Sequence, residues 1–488
     1  MSAALQRVAI VGGGAAGTVA ATHLLREPRS RGALEITLID RDGAFGAGVA
    51  YGTADPLHLL NVPAVRMGAI HGHPEHFHEW LAERGDPVAE EAFMPRGVYG
   101  SYLRDILARA EREARNARLS RRRGDVVSIV EPQGQEVAPL ELTFSDGERL
   151  EVDRVILALG PLSGGDPIAV PAELKSSGHY IADPWAEGAL EEARDAAEVL
   201  VVGTGLSMVD VALSLCEGNE DGPRVRAVSR HGLVPRRHRR TLTNLRHFHL
   251  PMESGTLDPV VAAIFAQVCR VSQQGDDWRD VIDSMRPVTP EIWKGLVLDE
   301  KRRFLREFQR LWDVHRFRMA PEVADRFASY EAKGRIITEA NSIVSLEPHG
   351  DRIRVYLRTP GRNELDTADV DRVISCSGAG RDLRADAPPV LAGLLAEGRA
   401  RPDELGLGLD VSEEGALLQA GGVASERIYA VGELRKGVEW EAIGITEIRD
   451  QSGCVARRIV RTGETDELRL PTDIERAAAG AATEWEAV

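Results

Sequence analysis

The chain has 488 residues, with 76 acidic and 60 basic side chains, and a formal net charge of −16. This length exceeds the usual size of a single hydrophobic core, so we expect two domains. The negative charge argues against general binding to nucleic acid or to an anionic membrane, because both need a basic surface. No apolar run approaches the length of a bilayer-spanning helix, and the N-terminal apolar segment is interrupted by glycines, so we expect a cytoplasmic protein with no membrane contact.

The first elements along the chain are a strand, a glycine-rich turn and a helix. The apolar run at residues 8–11 passes directly into a Gly-x-Gly-x-x-Gly motif. Its first glycine makes the tight turn, the second lets the backbone approach a pyrophosphate, and the third allows close helix packing. A second apolar run ends in an acid at the distance where a carboxylate accepts hydrogen bonds from an adenosine ribose. The candidate dinucleotide-binding residues are Gly12, Gly14, Ala16, Gly17, Asp40 and Arg41.

A second glycine turn follows the β-branched run at residues 199–202. Met208 replaces the third glycine, which weakens the motif and should widen the approach of the helix to the strand. The next strand ends in a serine and an arginine instead of an acid, and a hydroxyl with a guanidinium is what a 2′-phosphate requires. The sequence therefore predicts NADPH at Gly203, Gly205, Ser207, Ser229 and Arg230.

The segment 224–252 contains no acidic residue and is rich in arginine. A positive segment in an acidic protein is a candidate anion site, although a solvated basic loop is the alternative for its central cluster at 236–240. Its arginines are Arg224, Arg226, Arg230, Arg236, Arg237, Arg239, Arg240 and Arg246.

The segments 151–160 and 369–378 resemble each other, and each follows a strand-like stretch with a turn signal. This repeat predicts an α/β fold with two Rossmann-like dinucleotide-binding domains, each having a β-meander and a closing strand. The first domain is discontinuous, because its final strand at 427–432 follows the whole of the second. The predicted ranges are 1–165 and 366–470 for the first dinucleotide-binding domain, 166–365 for the NADPH domain, and 471–488 for a frayed tail.

Helical spacing from about 241 to 332 predicts a helical insertion that contains Trp278, Trp293 and Trp312. It is either a cap over the cleft or a structural filling of the gap between domains. The four cysteines stand far apart without a Cys-x-x-Cys pair, which argues against a disulfide framework and a dithiol relay. The histidines at 71–78 lack the spacing of a metal site, so no metal is expected.

Taken together, the two glycine turns and the paired closing strands resemble the FAD-NAD(P)-binding family related to flavin-containing and N-hydroxylating monooxygenases. The resemblance implies that the first domain holds FAD and the second presents NADPH. It further implies that residues 58–64 line the flavin ring, that Gly432 faces the ribityl chain and pyrophosphate, and that the helix opening near Gly444 directs its N-terminus at the flavin. Many relatives have Asp where this chain has Glu433, and the monooxygenase fingerprint around 177–185 is incomplete. The segments that carry the resemblance are 48–51, 58–64, 229–235, 312–316 and 437–449.

The resemblance implies an NADPH-dependent flavin monooxygenase that reduces FAD and transfers one oxygen atom from O2 to a small substrate, such as an amine or amino-acid nitrogen. His58 and Asn61 are the flavin-side catalytic candidates, with a packed structural histidine and a turn-capping asparagine as the alternatives. The cluster at 236–240 and Arg316 could orient a carboxylate-bearing substrate. A flavin dehydrogenase or reductase without oxygen activation is the alternative enzyme, and a redox-sensing binding protein is the non-enzymatic one.

Overall fold

The computed structural model describes residues 5–28, 33–131, 138–162, 166, 168–241, 250, 255–378, 383 and 387–461. The predicted tail at 471–488, the predicted domain end at 165 and Arg246 lie outside these residues. The strands in the described part are β1 Gln6–Val11, β2 Leu34–Asp40, β3 Ala117–Arg123, β4 Val126–Val130, β5 Leu140–Phe144, β6 Arg149–Val152, β7 Arg154–Leu157, β8 Tyr180–Ile181, β9 Glu198–Val202, β10 Arg224–Ser229, β11 Ile336–Ala340, β12 Ser342–His349, β13 Arg352–Arg358, β14 Leu365–Val370, β15 Arg372–Ser375, β16 Ala416–Leu418 and β17 Ala424–Ala430.

Helices cover both sheets and fill the predicted insertion. A π-helical turn at Phe304–Phe308 joins two of them, and short 3-10 turns lie at Ala64–Arg66 and Gly432–Arg435. The α-helices are α1 Ala15–Arg26, α2 Gly48–Tyr51, α3 His76–Glu83, α4 Arg96–Glu113, α5 Ala172–Ser176, α6 Glu191–Arg194, α7 Leu206–Cys216, α8 Leu257–Gln273, α9 Trp278–Ser284, α10 Thr289–Gly295, α11 Leu298–Arg303, α12 Gln309–Arg316, α13 Pro321–Ala332, α14 Pro389–Ala396, α15 Lys436–Glu439 and α16 Ile445–Arg461.

The first sheet has the strand order β16-β17-β7-β1-β2-β3. Strands β17, β7, β1, β2 and β3 run parallel, with β16 antiparallel at the edge. Parallel strands covered by helices on both faces read as continuous apolar runs, and β1 is such a run, with Val8, Ala9 and Ile10 fully buried. Because β17 pairs with β7, the last strand of the chain closes the first sheet, as the sequence predicts. We call the part built on this sheet the first lobe.

The second sheet has the order β11-β10-β9-β15-β8 and forms the core of what we call the second lobe. Strand β15 pairs in parallel with β9, and β14 continues the antiparallel meander with β13. The predicted return to the first domain at residue 366 is therefore too early, because the pairing of residues 365–375 places them in the second lobe. The division into two domains is otherwise a prediction from the sequence.

The repeated segments occupy equivalent places in the two lobes. Asp153 lies between the meander strand β6 and the closing strand β7, and its carboxylate accepts a hydrogen bond from the N–H of Arg7 at 2.7 Å. Asp371 lies between β14 and β15, and its carboxylate accepts from the N–H groups of Ala197 and Glu198 at 2.9 and 2.8 Å. In each lobe the aspartate thus ties the start of the glycine-turn strand to the closing strand.

Helices α8 to α13 stand between β10 and β11, where the sequence predicts a helical insertion. The insertion packs on the C-terminal part of the first lobe. Trp293 Nε1 donates to Gly437 O at 2.8 Å, and Arg316 pairs with Glu441 at 2.9 Å. Within the described residues, no helix is long and apolar enough to cross a membrane.

Candidate functional site

The first glycine turn is built so that side chains cannot fit. Gly12 has φ +112°, and a Cβ there would lie 2.1 Å from the carbonyl oxygen of Ala158, the residue that directly follows the closing strand β7. A Cβ on Gly17 would lie 1.8 Å from Gly12 O, so the start of α1 sits directly against the turn. The N-cap Gly14 offers no side-chain cap, and the first turn of α1 has no acidic residue. Its free backbone N–H groups and positive dipole end suit a pyrophosphate.

Asp40 is placed beside this turn by backbone donors. Its carboxylate accepts from the N–H of Gly13 at 3.1 Å, of Asp42 at 3.0 Å and of Ala44 at 2.9 Å. Three fixed donors hold the half-buried carboxylate at the carboxyl end of β2, where the adenosine ribose of a bound dinucleotide is expected. The neighbouring Arg41 side chain is 73% exposed and lies 3.7 Å from the Asp42 carboxylate.

The second glycine turn repeats this geometry. Gly203 has φ +109°, and a Cβ there would lie 2.4 Å from Cys376 O, behind the closing strand β15. A Cβ on Gly205 would meet no atom within 4 Å, so this position is open toward the space a ligand would fill. Met208 takes the third glycine's place and is completely buried in the core of the second lobe. Helix α7 again starts without a side-chain cap.

Backbone register makes Ser229 the counterpart of Asp40. Gly12 N donates to Ile39 O at 2.9 Å, and Gly203 N donates to Val228 O at 2.8 Å. The next residues are therefore Asp40 in the first lobe and Ser229 in the second. Ser229 Oγ lies 2.8 Å from Thr204 Oγ1, and it accepts from Gly232 N at 3.0 Å. Arg230 follows it with an exposed side chain that makes no hydrogen bond or ion pair with the described residues.

A cavity of about 840 Å³ lies between the lobes, and we call it the interlobe cavity. The second lobe contributes Gly203, Gly205, Ser207, Ser229 and Arg230 to its wall. The first lobe contributes Asn61, together with Tyr51, Arg96, Lys436 and Trp440, to which the sequence analysis gave no role; the insertion adds residues from α12, Gln309 among them. The insertion therefore lines the cleft and also packs between the lobes.

Most of the predicted anion cluster is neutralised by acidic partners. Arg237 forms two hydrogen bonds with Asp325, and Arg240 reaches the same carboxylate at 2.8 Å. Arg239 pairs with the buried Asp280 at 2.8 Å. Arg316 is held by the buried Glu441 through three hydrogen bonds of 2.9 to 3.2 Å. These pairings give the arginines a structural role, so the prediction that they orient a substrate carboxylate has no geometric support.

His58 is an interior residue and does not line the interlobe cavity. Its Nδ1 lies 2.8 Å from Thr53 Oγ1, and its Nε2 lies 2.8 Å from Ser214 Oγ on α7. Ser214 in turn donates to Asp55 at 2.6 Å. Both ring nitrogens are therefore engaged, and the histidine joins the first lobe to the second. The geometry supports the structural alternative for His58 and not the predicted catalytic role.

Asn61 does line the interlobe cavity. Its backbone carbonyl lies 3.0 Å from His238 Nε2, while its carboxamide has no hydrogen-bond partner in the described part of the chain. Tyr51 stands in the same wall, and burial raises the pKa of its phenol to about 12, so the hydroxyl stays neutral. Cys376 is also in the wall, and burial raises the pKa of its thiol to about 12, which excludes a thiolate nucleophile at neutral pH.

The predicted C-terminal residues are arranged around the start of α16. Gly432 has φ +77°, and a Cβ placed on it would lie 3.5 Å from Ala16 Cβ, so the end of β17 faces the start of α1. Glu433 pairs with Lys436 at 3.0 Å. Gly444 precedes α16, but the carboxylate of Glu447 occupies that helix end and pairs with Arg286 of the insertion at 2.9 Å. A ligand at this helix terminus would share it with Glu447.

A family model described as FAD-NAD(P)-binding matches residues 9–162. A comparison of the sequence with curated proteins finds no match. The ornithine N-hydroxylase of Kutzneria sp. 744, solved with reduced FAD, NADP+ and L-ornithine, is 15% identical, covers 94% of this chain and 100% of its own, and has a TM-score of 0.64. The L-lysine 6-monooxygenase of Pseudomonas syringae is 16% identical, with coverage of 94% and 99% and a TM-score of 0.59.

The thioredoxin reductase of T. acidophilum shares the fold at 12% identity, with coverage of 94% and 99% and a TM-score of 0.52. The comparisons confirm the predicted α/β fold and the predicted resemblance. Residues 9–162 match the model of an FAD-NAD(P)-binding family, and the chain has the fold of the two-dinucleotide-binding flavoproteins.

Proposed function

We propose that this chain is an NADPH-dependent flavin monooxygenase that transfers one oxygen atom from O2 to the nitrogen of a small amine. The observation that carries the proposal is the interlobe cavity. Its wall combines the second glycine turn and Arg230 with Asn61 and Trp440 of the first lobe. A reduced nicotinamide and a flavin ring could therefore meet in one space bounded by both lobes.

The residues fit the two cofactors. Gly12 and Gly17 leave room where any side chain would collide with backbone, and Asp40 is held beside the turn for a ribose. Gly205 leaves the mouth of the second turn open, and Arg230, which has no partner among the described residues, supplies a cation beside it for a 2′-phosphate. Bound FAD would supply hydride acceptance and oxygen activation, which no amino-acid side chain provides.

The chain's own contribution is to bind, orient and exclude water. The second lobe would hold NADPH by its phosphates, and the insertion would close the cavity through Gln309 and Phe317. Asn61, whose carboxamide has no hydrogen-bond partner within the described part of the chain, would orient a polar group at the reacting centre. In the overall reaction one oxygen atom forms the new N–O bond, the other leaves as water, and NADPH supplies two electrons.

Disulfide reduction is the chemistry of some proteins with this fold, but this chain lacks its reactive group. The four cysteines have no Cys-x-x-Cys spacing, and Cys376 in the cavity wall is a neutral thiol. The solved structures with the higher TM-scores include hydroxylases of ornithine and lysine. Nitrogen oxygenation is therefore the transfer that we favour.

The proposal is tested by following NADPH oxidation, O2 consumption and hydroxylamine formation by the FAD-loaded protein with a panel of primary amines. One hydroxylamine formed for each NADPH consumed would support it. If the protein oxidises NADPH with an artificial electron acceptor in the absence of O2, and if in the presence of O2 it forms no oxygenated product from any amine, it is a reductase. That result would contradict the proposal.

A further inference from the structure

A second cavity of about 440 Å³ lies within the helical insertion, and we call it the insertion cavity. Helices α8, α9, α10 and α12 and the π-helical turn form its walls, and Trp440 of the first lobe closes one side. Its volume falls in the range of about 300–1,000 Å³ that small-molecule sites occupy. No acidic, lysine or arginine side chain is among the described residues that line it.

Three polar side chains in this wall are hydrogen-bonded within the protein, and one buried donor has no partner among the described residues. Thr289 Oγ1 donates to Met285 O at 2.8 Å, and Trp293 Nε1 donates to Gly437 O at 2.8 Å. His315 Nδ1 lies 2.8 Å from Leu311 O, and burial lowers the pKa of the ring, which keeps it neutral. Trp312 Nε1 is buried with no partner among the described residues. Because a buried N–H without an acceptor is unfavourable, an acceptor on a ligand would satisfy it.

The insertion cavity and the interlobe cavity share one side chain, Trp440. Trp440 is the only non-glycine residue of the described chain with positive φ, at φ 57° and ψ −62°. Glu441 N donates to Glu439 O at 2.7 Å, so Trp440 is the central residue of a γ-turn, a strained conformation. Its ring packs against Trp293 at a centroid distance of 4.8 Å and against Phe304 at 5.1 Å. The chain thus places an aromatic wall between the two cavities.

The π-helical turn Phe304–Phe308 lies in the same wall, with Phe304 and Phe308 both lining the cavity. Such turns interrupt a regular helix and recur at functional sites. Two irregular backbone features therefore meet at one apolar cavity that adjoins the interlobe cavity. Packing alone would be served by a regular helix and a filled core.

From this arrangement we infer that the insertion cavity binds the part of the substrate that carries the reacting amine, and that this part is an aromatic ring. The inference rests on the proposed function and specifies the substrate class as an arylalkylamine. Its ring lies among Trp278, Trp312 and Phe304, a polar acceptor on the ring receives the Trp312 N–H, and its amine extends past Trp440 into the interlobe cavity. A diamine or basic amino acid is disfavoured, because a second ammonium group would be buried here without a counter-charge.

The test is calorimetric titration of the FAD-loaded protein with phenethylamine, tyramine and L-ornithine. We expect both aromatic amines to bind at least tenfold more tightly than ornithine, and tyramine to bind more tightly than phenethylamine. Trp312→Phe should remove the advantage of tyramine over phenethylamine, because only the phenol oxygen can accept the indole N–H. Equal or tighter binding of ornithine would overturn the inference.

Filling the cavity gives an independent check. Val268 lines it from α8, and Val268→Phe should weaken phenethylamine binding at least tenfold. Ala266→Phe on the same helix is the matched control, since Ala266 is exposed and does not line the cavity. If Val268→Phe loses FAD or unfolds, Val261→Phe serves as the second filling variant. Unchanged binding in a folded filling variant would overturn the inference.

The outcomes separate this inference from the proposed function. If aromatic amines bind, if Val268→Phe weakens that binding, and if no oxygenated product forms, the cavity assignment holds and the monooxygenase proposal fails. Oxygenation of ornithine at an unchanged rate by the filling variants would leave the monooxygenase standing and remove the cavity assignment.

Discussion

Replacement of Arg230 by alanine tests whether this exposed side chain gives the protein its preference for NADPH over NADH. The guanidinium lines the interlobe cavity one residue beyond Ser229 and has no competing partner in the described chain. Hydrogen bonds to charged groups contribute about 1.5–3 kcal/mol, and solvent exposure reduces this to about 1–2 kcal/mol here. Arg230→Ala should therefore raise the Kd for NADPH about 5- to 30-fold and change the Kd for NADH less than twofold.

The assay is anaerobic reduction of the FAD-loaded protein over a range of NADPH and NADH concentrations, which gives an apparent Kd for each. Arg224→Ala is the matched control, because Arg224 lies at the other end of β10, does not line the cavity and is 3.9 Å from Glu198. Equal losses for NADPH and NADH, or no loss for either, would refute the assignment of Arg230 to a 2′-phosphate.

Three further predictions follow from the geometry. Gly205→Ala should leave the thermal unfolding midpoint unchanged but raise the Kd for NADPH, because its Cβ faces open space. Gly203→Ala should unfold at a lower temperature, because its Cβ would lie 2.4 Å from a carbonyl oxygen. The reverse pattern would contradict the turn geometry. Arg316→Ala should destabilise the protein by about 3–5 kcal/mol in denaturant unfolding, because Glu441 stays buried without its cation, whereas a raised KM with unchanged stability would restore a substrate-binding role. Burial lowers the pKa of His23 to about 4 from 6.5, so the neutral ring stabilises the fold above pH 6.5, and this contribution of about 3 kcal/mol is lost as the pH falls toward 4. In urea unfolding, His23→Gln should therefore reduce the loss of unfolding free energy between pH 6.5 and 4. An unchanged dependence of the unfolding free energy on pH would contradict this role of His23.

The fold could be predicted largely from the sequence, because the glycine turns and closing strands are local signals with fixed geometric demands. Gly12 and Gly203 each face the carbonyl that follows a closing strand, and no other residue type fits there. The predicted boundary at residue 366 lies too early, because it cuts off the repeated closing segment at 369–378 from the second lobe. The pairing of β15 with β9 and β8 assigns this strand to the second lobe.

The site could be predicted less completely, because partner choice depends on contacts between distant parts of the chain. The cluster at 236–240 resembles an anion site in sequence, but Asp325 and Asp280 arrive from later helices and neutralise it. His58 is engaged by Ser214, which is 156 residues away along the chain. Arg230 has no acidic partner within the described part of the chain, and its position after Ser229 is readable from the sequence because strand register carries over from the first lobe.

The proposed function depends on the transfer of one oxygen atom from O2, at reduced FAD, to an amine nitrogen. The most direct measurement is anaerobic reduction of the FAD-loaded protein with NADPH, followed by mixing with isotopically labelled O2 and phenethylamine and mass analysis of the product. We expect rapid reduction of the flavin and one labelled oxygen atom on the nitrogen of the product. Release of all the consumed O2 as hydrogen peroxide with unlabelled amine, for phenethylamine and for the wider amine panel alike, would contradict it.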